Sequence, residues 1–202
     1  MTCAQIIAIC KDIILSGAAI IGAIIAGLGL STWKRQLRGQ SEHNLSRRIL
    51  TTLYKYRERI DSMRFPGMWP HEMPSPPEYE AINMNDEQKQ LYGRSRAYQA
   101  RWDRVCTERT SLNADLLEAE AIWGDELKNL FSKIFDLEFE LFICISQHAD
   151  IKYPDDASKE IIRNIATKDR DIRYDYLGEP DEFKKELIIA IEKIENYLKP
   201  KL

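Results

Sequence analysis

An all-α protein is expected from three features of the chain: an uncharged apolar run at residues 13–32, apolar spacings of three and four through the rest, and breaks confined to proline and glycine clusters. The specific expectation is an N-terminal transmembrane helix continuing into a cytoplasmic antiparallel helical bundle. Residues 1–32 form the N-terminal segment and span, and 33–202 the cytoplasmic helical domain.

The run IILSGAAIIGAIIAGLGLST carries no charge. Twenty helical residues rise about 30 Å, the thickness of a bilayer's hydrocarbon core. A secretory leader would place its basic cluster before the apolar run, but here Trp33, Lys34, Arg35 and Arg38 follow it. An interfacial helix would need a polar face, which this segment lacks. Lys34 to Arg48 contains five basic residues against one acid, Glu42, while Lys11 and Asp12 balance on the amino side. The positive-inside rule then places the N-terminus outside a bacterial inner membrane and the remainder in the cytoplasm. Trp33, Lys34, Arg35 and Arg38 are the expected membrane-interface residues, and membrane lipid the expected partner. Ala18, Gly22 and Ala26, beside Ala19, Ala23 and Gly27, make two small-residue stripes that favour self-association, so a homo-oligomer is expected. Cys3 and Cys10 lie two turns apart; they are read as free thiols, with cross-linking of neighbouring copies as the alternative.

The next helix is expected over 33–64, where Leu45, Ile49, Leu53, Tyr56 and Ile60 keep helical spacing. Five prolines between 65 and 80 then stop it. Phe65, Met68, Trp69 and His71 lie in this connection; they are read as a cap over the bundle end or as a loop for a cytoplasmic protein partner. A helix over 85–122 opens where Asn85 or Asp86 can cap it. Gly124 divides it from 124–149, where Leu127, Ile134, Leu141 and His148 run beside Leu130, Leu137 and Cys144, and where phenylalanines widen the stripe to that of a bundle core. Shorter helices are expected over 157–168 and, with Phe183, Leu187, Ile191, Ile194 and Leu198 as its apolar face, over 181–199.

The chain is 30% charged yet has a net charge of −3. That balance describes an ion-paired helical surface, and no nucleic-acid partner is expected. Asp115, Glu118 and Glu120 read as a solvated face, and Arg94, Arg96, Arg101 and Arg104 as internally paired. No histidine pair, CxxC, phosphate loop or nucleophile elbow occurs, so no catalytic, metal or cofactor site is assigned and a non-enzymatic protein is expected.

Trp33-Lys-Arg-Gln-Leu37-Arg-Gly39 after the span, Arg64-Phe-Pro66, and Ile194-Glu-Asn-Tyr-Leu198-Lys-Pro200 resemble, in order and spacing, a group of small bacterial single-pass membrane proteins. The resemblance implies an inner-membrane location and transfers no catalytic residue. The layout of an anchor plus a helical domain also resembles effector components of bacterial antiviral defence systems. The sequence therefore predicts a membrane-anchored scaffold that tethers a partner or self-assembles, with a membrane-perturbing effector as the alternative.

Overall fold

The structure, a computed structural model, describes residues 3–147, 149, 172–175 and 181–202; side chains are described from Ile21 onward, Ala23 excepted. The helix expected over 157–168, His148, and the side chains of Cys3, Cys10, Ala18, Ala19 and Ala23 lie outside the described residues. Among the described residues the only regular elements are helices, with no strand. The principal helices are α1 (Cys3–Arg64), α2 (Glu78–Ala81), α3 (Asp86–Trp123), α4 (Glu126–Ser146) and α5 (Glu182–Leu198). The chain divides into two compact units, 1–44 and 45–202.

In the first unit α1 is a lone helix. Ile21, Ile24, Ile25, Leu28, Leu30, Trp33 and Leu37 are each more than half exposed. A Cβ added to Gly22, Gly27 or Gly29 would meet nothing within 4 Å. Among the described residues no helix is long and apolar enough to cross a membrane; the side chains of residues 13–16, 18–20 and 23, eight of the uncharged run's twenty, are not among them.

In the second unit four helices share one core. The α1 row Leu45, Ile49, Leu53, Tyr56, Ile60 and Met63 is sealed from water, as are Trp102, Val105 and Leu112 of α3, Phe131 and Leu141 of α4, and Ile194 and Leu198 of α5. The polar pairs give the register. Along α1, Arg48 meets Asp115 and Glu118, Arg59 meets Glu108, and Ser62 meets Arg101, so α1 and α3 run in opposite directions. Lys128 with Glu120, and Arg109 with Glu138, give the same antiparallel relation between α3 and α4.

The helix ends have local causes. Asn85 accepts from the Gln88 amide at 2.8 Å while Gln88 returns a 2.9 Å acceptor to the Asn85 amide, closing a capping box at the start of α3. Asp181 accepts from the Lys184 amide at 2.8 Å and opens α5. Gly124, at φ 78° and ψ −166°, separates α3 from α4 in a region open essentially to glycine alone. The sevenfold spacing of Leu116, Trp123 and Leu130, which in the sequence reads as one heptad row, therefore belongs to two helices joined by a turn. The sequence spacing was periodic across a point where the backbone reverses.

Candidate functional site

The connection after α1 is built around one buried arginine. Arg101 belongs to the α3 row Ala97, Tyr98, Arg101, Trp102, Val105, whose spacing of three and four faces it inward at 4% exposure. Its five N–H groups are all engaged. Nη1 donates to the Ser62 carbonyl at 3.1 Å and the Phe65 carbonyl at 2.9 Å. Nη2 donates to the Gly67 carbonyl at 2.6 Å and to Glu72 Oε2 at 2.8 Å, and Nε donates to Glu72 Oε1 at 3.1 Å. A guanidinium has five donors in a fixed fork, so this arrangement satisfies it completely. Hydrogen bonds from Arg101 hold the Glu72 carboxyl down to about 2. Glu72 also accepts from the Trp69 amide at 3.0 Å, closing the 3-10 turn Pro70–Glu72.

The same connection is pressed onto α3 at Gly93. A Cβ there would stand 3.2 Å from Met73 Cβ and 3.3 Å from the Pro74 carbonyl oxygen. Only the absence of a side chain lets the proline-rich backbone cross the helix this closely.

What the clamp presents outward is apolar. Phe65, Trp69 and Met73 are exposed, Trp69 by 63%, and His71 is exposed beside them, while Met68 turns inward against the core. The sequence brought Phe65, Met68, Trp69 and His71 together as one loop. The structure separates them into three outward residues and one anchor. The loop's shape rests on Arg101, which sequence reading assigned only to internal pairing.

A second buried arginine, at the end of α1, holds residues that precede α5. Arg64, at 1% exposure, ends α1 and donates through Nε to the Ile172 carbonyl at 2.7 Å and through Nη2 to the Tyr174 carbonyl at 3.2 Å. It pairs with Asp181 and lies 4.5 Å over the Phe183 ring. Thus Arg64-Phe-Pro66 is tied from two sides, Arg64 to residues preceding α5 and the Phe65 carbonyl to Arg101.

The third polar feature is Glu138, 1% exposed in the α4 core stripe. It accepts from the Tyr56 hydroxyl of α1 and from Arg109 Nη1 of α3 at 2.8 Å. Burial pushes its carboxyl above the ordinary range, against the opposing charge of Arg109 and the Tyr56 hydrogen bond. Arg109 stacks 4.3 Å over Phe135. The half-buried Cys106 thiol nearby is pushed up to about 11, first by burial and then by the Glu138 charge, so it is a poor nucleophile near neutrality. Sequence reading missed this cluster. An acid at the spacing of Phe131, Ile134, Leu141 and Ile145 was the available signal.

The remaining candidates sit apart. Asp115 and Glu118, read as a solvated face, pair with Arg48, and Glu120 pairs with Lys128. In the first unit Trp33, Lys34, Arg35 and Arg38 are exposed, and Arg38 Nε reaches Glu42 at 2.9 Å. Gly22, Ala26 and Gly27 are exposed as well. Among the described residues no three His, Cys, Asp or Glu side chains converge to hold a metal ion. Chemically, the second unit offers an exposed apolar loop held by a fully engaged arginine, and a buried carboxyl paired with Arg109 and Tyr56. No protein-family model, curated protein or solved structure matches the chain.

Proposed function

We propose that this protein is a membrane-anchored interaction scaffold: residues 13–32 lie in a bilayer, the N-terminus outside, and the helical unit presents its clamped loop to a cytoplasmic protein. The observation that carries the reading is the lone apolar helix. Ile21, Ile24, Ile25, Leu28, Leu30, Trp33 and Leu37 all face outward on a helix with no covering element among the described residues. Large apolar side chains left in water forgo roughly 1.5–3 kcal/mol each. For the five inside the run, Ile21, Ile24, Ile25, Leu28 and Leu30, each a little over half exposed, that is on the order of 5–10 kcal/mol, comparable to the whole stability of a domain. A hydrocarbon environment removes that cost, and the uncharged length of the run matches its thickness. Nothing ionisable occurs within 13–32, so one copy would serve as an anchor rather than an ion path.

The loop supports the partner half of the reading. A buried arginine with every donor satisfied holds Phe65, Trp69 and Met73 outward before any partner arrives, which lowers the ordering cost of association. Replacing Ile24 and Leu28 by lysine tests the anchor. The expected result is transfer of the protein from the membrane fraction to the soluble fraction with its helical content intact; retention after an alkaline wash would refute it.

A second reading, oligomerised spans that perturb the membrane, draws on the open faces of Gly22 and Gly27. Gly22→Leu with Gly27→Leu separates the two. Loss of cell-killing with the bundle folded favours the effector, and function retained in full excludes it.

A further inference from the structure

We propose that the first turns after the span form a binding surface for the anionic headgroups of phospholipids, an inference that rests on the anchored reading above. The argument is one of depth and charge. The headgroup layer on each side of the hydrocarbon core is about 5–7 Å deep. Measured from residue 32, Lys34 and Arg35 stand about 3 and 5 Å further along the helix, Arg38 about 9 Å, and Glu42 about 15 Å. Helical side chains lean toward the helix N-terminus, which here is the direction of the bilayer. Lys34 and Arg35 are therefore placed in the layer, and the long Arg38 side chain leans back into reach of it, while the shorter Glu42 carboxylate stays beyond.

The pairing pattern agrees with this placement. Lys34 and Arg35 make no ion pair among the described residues, and all three cations are exposed. Arg38 meets only Glu42, in an exposed i,i+4 pair with the base on the N-terminal side, the weaker orientation. Leu30, Trp33 and Leu37 occupy one arc of the same turns, exposed and at spacings of three and four. Lys34, Arg35 and Arg38 occupy the adjoining arc. A surface with three cations facing phosphates and an aromatic ring at the interface selects a net-negative headgroup over a zwitterionic one. Each cation near the surface contributes about 1 kcal/mol, or about fivefold in preference.

The test is Trp33 quenching in vesicles by brominated phosphatidylglycerol against brominated phosphatidylcholine, with the full-length chain and with Trp33→Phe to isolate the Trp33 signal. The wild type is expected to favour the anionic lipid by at least tenfold. Lys34→Gln, Arg35→Gln and Arg38→Gln together should abolish that preference while quenching by both lipids persists. Equal quenching by both lipids in the wild type, or a preference unchanged in the triple variant, would overturn the inference and leave the anchor standing. No quenching by either lipid would overturn the anchored reading itself.

Discussion

Replacing Arg101 by methionine removes the five donors that hold the loop while keeping most of the side-chain volume in the core. Three carbonyls, of Ser62, Phe65 and Gly67, lose a donor, and the largely buried Glu72 loses its counter-charge. Removing one partner of a buried pair costs about 3–5 kcal/mol where the other stays buried. The Glu72 carboxyl gives a separate bound. It is held at about 2 against an ordinary 4.5, and at about 1.4 kcal/mol per tenfold that gap is worth at most about 3.5 kcal/mol. Because the loop can swing into water, a loss of about 2–3 kcal/mol is expected. Urea unfolding of the detergent-solubilised chain, as a double-mutant cycle with Glu72→Gln, measures it. The pH dependence has a defined sign. A depressed carboxyl stabilises above its unfolded value near 4.5 and loses that contribution as the pH falls toward 2. The wild type should therefore lose part of its advantage over Arg101→Met between those values. A loss below about 1 kcal/mol at neutral pH, or a coupling to Glu72 near zero, would refute the clamp.

Glu138→Gln tests the buried carboxyl with the opposite sign. Its raised value means that its contribution is present below about 4.5 and is lost as the pH rises through the folded value, so the wild type should weaken relative to the variant as the pH rises above about 4.5 in paired melts. Gly124→Ala meets no atom within 4 Å, so its cost is conformational alone, about 1–3 kcal/mol of unfolding free energy in the same urea assay. Trp69→Ala with Phe65→Ala should leave the melting temperature within a few degrees of wild type, because both side chains are exposed, while cross-linking to the partner proposed above falls at least tenfold.

The helices were legible because their causes are local. Leu45, Ile49, Leu53, Tyr56 and Ile60 follow one periodic row and are all buried, and the Asn85 cap follows from side-chain chemistry within three residues. Gly124 could be suspected of breaking the helix, but only its positive φ shows that the heptad row crosses a turn. The polar interior was not legible. Arg64 pairs 117 residues away with Asp181, and Tyr56 pairs 82 residues away with Glu138. Charge at an apolar spacing marks such residues, yet nothing local names their partners. The loop was readable as apolar and proline-rich, whereas its rigidity depends on Arg101, 29 residues beyond Glu72.

Backbone hydrogen exchange of the full-length chain in bilayer nanodiscs tests the anchored reading most directly. Helix α1 is continuous from Cys3 to Arg64, so residues 14–32 and 34–44 share the same backbone hydrogen bonding. Any difference in their protection therefore reports the surroundings rather than the helix. The anchored reading predicts amides of 14–32 protected at least a hundredfold more than those of 34–44; equal exchange in the two segments would contradict it.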